Sequence, residues 1–284
     1  MFARISLCAL LCLSMPAAAQ DQGPDAELVD ALFDAAGFEA NLANLRGAAL
    51  AEWQGTQDDL YPEAVPPVWT DAMEAATEPA QIVADFRRGF VTVPFSPEDM
   101  ETAIAALQTP FGQRLTEIGQ TISTRLAEAE NLQGAFAGAE LTNDPRVIAA
   151  DRVLDLRGSI ETHFAFLRAS EQAYYLGLNG DPLEQTELPA SVADDLSAYM
   201  ADWESYFEDI QDDVTLSYRQ MFFLVTDGFT SDEVDNWVTR AEQPWAQAFE
   251  DAFQAGYREA YRQSMYRLGQ AVAAGHAPAE DDGG

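Results

Sequence analysis

Residues 95–115 read FSPEDMETAIAALQTPFGQRL, and a gapless variant of this stretch returns at residues 229–249 as FTSDEVDNWVTRAEQPWAQAF. The two copies start 229 − 95 = 134 residues apart. The two copies are identical at three aligned positions, which are Phe95 and Phe229, Pro110 and Pro244, and Gln113 and Gln247. Because they fall where helix geometry restricts the choice of residue, the pattern predicts one helical motif used twice.

Each copy opens with a helix-start signal. Thr230 is a good N-cap, and Glu233 follows three residues later, so the side chain of each can bond the backbone N–H of the other. Phe229, just before the cap, is placed to pack on the first turn. Ser96 and Asp99 hold the same positions in the first copy. Both copies are therefore predicted to begin a helix here.

Each copy also contains a proline that interrupts its helix. Pro110 has no N–H to donate, so the helix must break or kink at this point. Thr109 can cap a new helix, and Gly112 would let another backbone approach closely. Gln243 and Ala246 replace these two residues in the second copy. We therefore expect a clean break in the first copy and a kinked continuation in the second.

These features resemble the bacterial exported family called domain of unknown function 2059. Its pattern has a phenylalanine and threonine before an acidic helix start, then a Thr-Pro-x-Gly-Gln turn. The matching residues are Phe95, Thr109, Pro110, Gly112 and Gln113 in the first copy and Phe229, Thr230, Pro244 and Gln247 in the second. An aromatic pair usual in the family is absent, since Ala106-Leu107 and Arg240-Ala241 stand there. The resemblance implies an exported, all-helical protein, and it implies no activity because the family has none established.

The N-terminus has the pattern of a secretory signal peptide. Arg4 precedes a short apolar run at residues 5–15, and small residues follow, so cleavage is predicted after Ala19. Both cysteines, Cys8 and Cys12, lie in this leader. The mature chain is therefore expected to be periplasmic, without disulfides or a thiol nucleophile, and stabilised by its core alone. No later stretch is apolar over the roughly 20 residues that a membrane helix needs.

The charge of the chain excludes several kinds of partner. Its 15 basic residues are all arginine, and 48 acidic residues give a formal net charge of −33. Binding to nucleic acid or to anionic lipid needs a basic surface, so neither is expected. Two interpretations of the acidity remain open: binding of a cation or basic partner, and a solvated surface that resists aggregation.

Apolar residues recur at three- and four-residue spacing almost throughout, which predicts an all-α fold. Helix breaks are expected at Gly37, at residues 78–79 and at residues 179–182. The repeat further predicts two tandem, diverged multi-helix units packed as one body. The predicted boundaries are residues 20–141 for the first unit, 142–275 for the second, and 276–284 for a disordered acidic tail.

Two aromatic patterns allow more than one interpretation. A ladder at spacing four is formed by Trp245, Phe249, Phe253, Tyr257 and Tyr261. Such a ladder is typical of core packing, but it could also line a groove for an apolar ligand or a partner helix. A second stripe is predicted on the helix at residues 188–225, and it comprises Tyr199, Trp203, Tyr206, Phe207 and Ile210.

Few residues suggest catalysis or metal binding. His163 is the only internal histidine; if it were functional, Glu161 and Glu171 would be its first candidate partners. No HExxH, Gly-rich phosphate loop or GxSxG elbow is present, and the acidic run at residues 201–213 has helical rather than calcium-loop spacing. No catalytic residue, metal ligand or cofactor is therefore assigned.

These observations favour a non-catalytic periplasmic helical protein that binds a partner protein or a small apolar ligand. Two alternatives remain open: a carboxylate-dependent hydrolase and a structural envelope factor. A pocket with two converging desolvated acids would favour the hydrolase, and a long apolar groove would favour binding. The family-motif residues are expected to be structural.

Overall fold

The computed structural model describes residues 26–38, 67–128, 148–149, 151–152, 159–184, 188–226 and 228–276. Every regular element in these ranges is a helix and none is a strand, so the predicted all-α fold is confirmed. No helix in this part of the chain is long and apolar enough to cross a membrane. The predicted signal peptide at residues 1–19 and residues 277–284 of the predicted tail lie outside the described ranges.

The helices of these ranges are, in chain order, α1 (Ala26–Ala35), α2 (Pro67–Ala76), α3 (Pro79–Phe90), α4 (Pro97–Leu107), α5 (Pro110–Glu128), α6 (Ser159–Asn179), α7 (Ala190–Val225), α8 (Ser231–Ala241) and α9 (Pro244–His276). The predicted breaks are confirmed. Gly37 and Gly180 take φ angles of +63° and +73°, which suit glycine after a helix end. At the break at residues 78–79 the Glu78 side chain accepts a bond from the Gln81 N–H and caps α3.

α9 is the central helix, because α2, α3, α4 and α6 all pack against it. Two of these crossings are too close for any residue but glycine. A Cβ on Gly89 of α3 would lie 2.3 Å from the carbonyl oxygen of Ala255, and one on Gly177 of α6 would lie 2.1 Å from that of Tyr266. Backbone atoms cannot move aside without separating the helices. The two glycines therefore set the distances from α9 to α3 and α6.

The aromatic ladder of α9 lies in the core. Its middle rings, at residues 249–257, are buried. Phe253 packs edge-on against Phe33, Phe86 and Phe90, with ring centroids 5.8, 5.4 and 5.6 Å away. The interpretation of the ladder as core packing is confirmed. The space around these rings is occupied by the protein's own side chains, which leave no groove for an apolar ligand between the rings.

A second apolar cluster lies among α6, α7, α8 and the start of α9. At its centre the rings of Phe222 and Trp237 stack at 4.9 Å with an interplanar angle of 3°. Trp245 and Tyr261 contact both this cluster and the one around Phe253. The two clusters are therefore joined through α9 rather than separated by a boundary.

The stripe predicted on α7 is only partly buried. Phe207 is 3 % exposed, whereas Tyr206 is 39 % exposed. Consecutive residues on an α-helix point about 100° apart, so Tyr206 and Phe207 lie at the two sides of an apolar stripe of ordinary width. The Trp203 ring lies 5.6 Å from that of Tyr206 and 5.7 Å from that of Phe207, so these three rings share one stripe as predicted, with Tyr206 at its exposed side.

The helix–break–helix motif occurs in both copies. α4 and α8 each have 11 residues and a capped N-terminus, and two residues separate each from the proline that opens the next helix. The C-cap residues Gln108 (φ −76°, ψ −9°) and Glu242 (φ −79°, ψ −6°) have nearly the same backbone conformation. The expected kinked continuation in the second copy is wrong. There the backbone N–H of Gln243 bonds the carbonyl of Arg240 at 3.0 Å, and the Gln243 side-chain amide donates to the carbonyl of Thr239 at 3.2 Å, so α8 ends before Pro244.

The two copies pack on each other reciprocally. Phe229, which opens the second copy, lies 5.7 Å from Phe111 on α5, and the Arg114 guanidinium lies 4.3 Å from the Phe229 ring centre. Phe95, which opens the first copy, lies 6.3 Å from Phe249 on α9. Each opening phenylalanine thus contacts the post-proline helix of the other copy. Because α9 also packs against α2 and α3, the division at residues 141 and 142 stays a prediction.

Candidate functional site

A cleft of about 370 Å³ lies where α3 crosses α9, and it is the candidate functional site. Its lining residues are Arg88, Gly89, Thr92, Glu184, Ala255, Arg258, Glu259 and Arg262. The close contact of Gly89 with Ala255 forms its floor. Arg258 and Arg262 are four residues apart on α9 and therefore project from the same face of that helix.

Glu259 organises two of the three guanidinium groups. Its carboxylate accepts from Arg88 at 3.3 Å, from Arg262 at 3.0 Å and from the Gln263 amide at 2.8 Å. Burial alone would raise the pKa of Glu259, but the hydrogen bonds from Gln263, Arg262 and Arg88 outweigh burial, so its pKa is lowered. Glu259 is therefore ionised at neutral pH and holds Arg88 and Arg262 in place.

Glu184 closes the end of the cleft nearest Arg262. Its Oε1 accepts from the Arg262 guanidinium at 2.6 Å and from the Gln263 amide at 3.5 Å. Its side chain is 72 % exposed, whereas that of Arg262 is 26 % exposed. The Glu184 carboxylate is thus in contact with water, whereas the Arg262 guanidinium is packed against the protein.

Arg258 differs from the other two arginines of the cleft. It is exposed, and it makes no hydrogen bond or ion pair with any residue in the part of the chain that the structure describes. Of the described arginines, those with a carboxylate partner are Arg87, Arg88, Arg114, Arg152, Arg168, Arg219, Arg262 and Arg267. Arg240 lies over the Phe111 ring. Arg258 is therefore a cation that lines the cleft and has no carboxylate partner among the described residues.

A buried charge pair lies behind the cleft. Asp85 is fully buried; it accepts a hydrogen bond from Arg267 at 2.6 Å and forms an ion pair with Arg88 at 3.1 Å. Arg267 also donates to the carbonyl of Ala76 at 3.3 Å. Breaking such a pair leaves an unpaired buried charge, which is strongly destabilising. Asp85 thus ties α2, α3 and α9 together beneath the cleft.

His163 does not pair with either carboxylate expected for it. It is 2 % exposed, and its Nδ1 lies 3.1 Å from the hydroxyl of Tyr218 on α7. Burial lowers the pKa of His163 to about 4, so the ring is neutral at neutral pH. Glu161 is exposed. Glu171 accepts instead from the Tyr199 hydroxyl at 2.7 Å, and burial raises its pKa to about 7.

The family-motif residues make contacts within the two helical motifs, and none of them lines the cleft. Thr109 donates to the carbonyl of Ala106 at 2.7 Å and accepts from the Gly112 N–H at 3.1 Å, so it caps α5 as predicted. Thr230 and Glu233 form the complete predicted capping box. Phe95 is buried, whereas the side chains of Gln113, Pro110 and Pro244 are exposed, and those of Phe229 and Gln247 are half-buried.

The sequence offered no strong signal for the charged cleft. No family model, no curated protein and no solved structure matches this chain. No group of three or more potential metal ligands occurs among the described residues. The signal that could have indicated the cleft is the repeated Tyr-Arg pair at Tyr257-Arg258 and Tyr261-Arg262, because arginine is scarce in this chain.

Proposed function

We propose that this chain is an exported, non-catalytic helical protein that binds a small anionic ligand in the cleft between α3 and α9. The observation that carries this proposal is Arg258, an exposed guanidinium without a partner in the described part of the chain. In a protein with a net charge of −33, an arginine left without a carboxylate is unexpected. A planar guanidinium is well suited to bind a carboxylate or phosphate oxygen pair.

The carboxylates of the cleft favour binding over hydrolysis. An acid–base pair needs at least one carboxyl with a raised pKa, so that it carries a proton near neutral pH. Glu259 has a lowered pKa, and the side chain of Glu184 is 72 % exposed. Glu171 is a buried carboxyl with a raised pKa, and it does not line the cleft. The alternative of a carboxylate-dependent hydrolase thus gains no support from the cleft.

The export part of the proposal rests on the sequence of residues 1–19 and on the family resemblance. The ligand part replaces the small apolar ligand inferred from the aromatic ladder, because the ladder rings are packed against the protein itself. A role as a structural envelope factor, without a ligand, remains the alternative that the binding experiment must exclude.

The experiment is an NMR titration of the protein with sodium acetate at constant ionic strength. We expect saturable shifts of amide signals at residues 88–92 and 255–262 in the wild type, and their loss in Arg258→Gln. Arg87→Gln is the matched control, because it removes the same charge from a guanidinium that pairs with Asp30 and does not line the cleft. Equal saturable binding by wild type and Arg258→Gln would contradict the proposal.

A further inference from the structure

The charge balance of the cleft limits the charge of its ligand. Its lining contains three arginines and two glutamates, so one positive charge is left uncompensated. A single anionic group of a ligand would pair with that charge. A second anionic group would lie beside Glu184 and Glu259 in a protein that is already strongly acidic, and like charges at short range repel. A monoanionic group therefore fits better than a dianion or a polyphosphate.

One carboxylate of the cleft still has bonding capacity. Glu259 uses both oxygens, Oε1 for Arg88 and Gln263 and Oε2 for Arg262. Glu184 uses Oε1 only, and its Oε2 accepts no hydrogen bond from the described residues. Glu184 is thus the cleft carboxylate with an oxygen that accepts no bond from the described residues and can accept one from a ligand.

The two open groups lie at the two ends of one helix face. Arg258 precedes Arg262 by four residues, or about 6 Å along the helix axis, and Arg262 holds Glu184. An entering ligand therefore meets a cation at one end and a carboxylate at the other. A volume of about 370 Å³ is near the lower limit of ligand pockets, about 300–1,000 Å³. This volume suits one small molecule.

We propose that the cleft binds a small zwitterion of the amino-acid class, with its carboxylate on Arg258 and its ammonium group on Glu184. This inference rests on the proposed function and specifies the ligand of the same site. It adds the requirement of a hydrogen-bonding cation on the ligand, which a simple anion lacks.

The experiment compares L-alanine, L-lactate, propionate and succinate by NMR titration of the full chain. The first three share a three-carbon carboxylate and differ only in an ammonium, a hydroxyl or a hydrogen at the α-carbon, and succinate tests a second carboxylate. We expect alanine to bind about two- to fivefold more tightly than propionate, in line with one exposed ion pair. Succinate should bind more weakly than propionate.

Two variants assign the two ends of the ligand. Arg258→Gln should abolish binding of all four compounds, whereas Glu184→Gln should remove the preference for alanine and leave propionate binding within about twofold of wild type. Glu98→Gln, at an exposed position of α4 away from the cleft, is the matched control for the lost negative charge. The amide spectrum of each variant verifies its fold.

The outcomes separate this inference from the proposed function. If propionate binds through Arg258 as tightly as alanine does, or if succinate binds most tightly, the zwitterion inference is wrong and the anion-binding proposal stands. If Glu184→Gln retains the full preference for alanine, the assignment of the ammonium group is wrong. Absence of residue-specific shifts with all four compounds would overturn both proposals.

Discussion

At the scale of single residues, Glu171 carries the clearest consequence of burial. It is 2 % exposed at the contact of α6 with α7, and only the Tyr199 hydroxyl bonds its carboxyl group within the described structure. Burial raises its pKa from 4.5 to about 7, and the bond from Tyr199 offsets this only in part. A carboxyl with a higher pKa in the folded state binds its proton more tightly there. It therefore favours folding most below pH 4.5, and this advantage is lost as the pH rises through 7.

We predict that Glu171→Gln stabilises the protein in alkaline but not in acidic solution. The amide is neutral at every pH and keeps an oxygen to accept from Tyr199, so it removes the cost of ionising the buried group. The shift from 4.5 to about 7 corresponds to about 3 kcal/mol at pH 8.5 and to almost nothing at pH 4.5. Urea unfolding of wild type and variant across this range measures the difference.

The matched control is Glu161→Gln, an exposed glutamate on the same helix, and it should follow the wild type at every pH. Parallel stability curves for wild type and Glu171→Gln would show that the carboxyl ionises in the folded state without cost. In that case water must reach Glu171.

The sequence predicts those residue roles that depend on near neighbours in the chain. The capping box of Thr230 and Glu233 was predictable because both partners lie within one helical turn. The pairing of Glu171 with Tyr199 joins residues 28 positions apart, and the freedom of Arg258 depends on which carboxylates other helices bring near it. Local spacing contains no information on either.

At the scale of the elements, the start of α8 is held by more than its cap. The Glu233 carboxylate accepts from the Thr230 N–H through Oε2 at 2.7 Å, and from Arg114 of α5 through Oε1 at 3.1 Å. Arg114 also donates to the carbonyl of Gly228 at 3.0 Å. The capping box of the second copy is therefore also its attachment to the first copy.

We predict that Thr230→Ala lowers the free energy of unfolding by about 1 kcal/mol, the usual value of an N-cap. The hydroxyl accepts from the Glu233 N–H, and alanine cannot replace that bond. Thermal and urea unfolding measure the change, and ligand binding at the cleft should be unaffected. Ser231→Ala is the control, because this neighbouring hydroxyl is exposed and makes no hydrogen bond with a described residue. A loss of binding with unchanged stability would mean that the motif is itself a site.

The crossing of α3 with α9 allows a second prediction at this scale. Gly89→Ala gains up to about 1 kcal/mol of helix propensity, but its Cβ would lie 2.3 Å from the Ala255 carbonyl oxygen. The helices must separate, at a cost of about 1–3 kcal/mol. We expect a net loss of about 1–2 kcal/mol in urea unfolding, with altered amide signals at the cleft.

Gly256→Ala is the comparison for Gly89→Ala. Its Cβ would meet the Phe86 ring at 2.7 Å, and that ring is fully buried among other aromatic rings, so it cannot rotate away without disturbing the core. We therefore expect a loss of similar size to that of Gly89→Ala. If Gly89→Ala is more stable than wild type, the two helices do not approach as closely as the structure shows.

At the scale of the whole molecule, the described helices are arranged around α9, against which α2, α3, α4 and α6 all pack. The break that precedes Pro79 was predictable from the proline itself, and the apolar periodicity was sufficient to predict an all-α fold. It was not sufficient to predict which helices meet, because that depends on Gly89 and Gly177, and isolated glycines have the same appearance in loops and in helix crossings. The cleft is a product of one such crossing, so it could not be predicted either.

The large negative charge leads to a prediction at this scale. If the acidity is a solvated surface, mutual repulsion destabilises the folded state and salt should screen it. The melting temperature should then rise steadily between about 10 and 500 mM NaCl. At equal ionic strength MgCl2 should act like NaCl. A large increase that saturates at low millimolar magnesium would indicate specific cation binding instead.

The position of α9 in the chain has a consequence for the order of folding. The helix that joins α2, α3, α4 and α6 comes after all of them, so Phe33, Phe86 and Phe90 lack their partner ring at Phe253 until the last helix is made. From Phe90 to the end of α9 there are 276 − 90 = 186 residues, and at about 5–20 residues per second synthesis of this length takes roughly 10 to 40 seconds. During that time these three phenylalanine rings are exposed. The unfinished chain therefore depends on chaperones to prevent its aggregation.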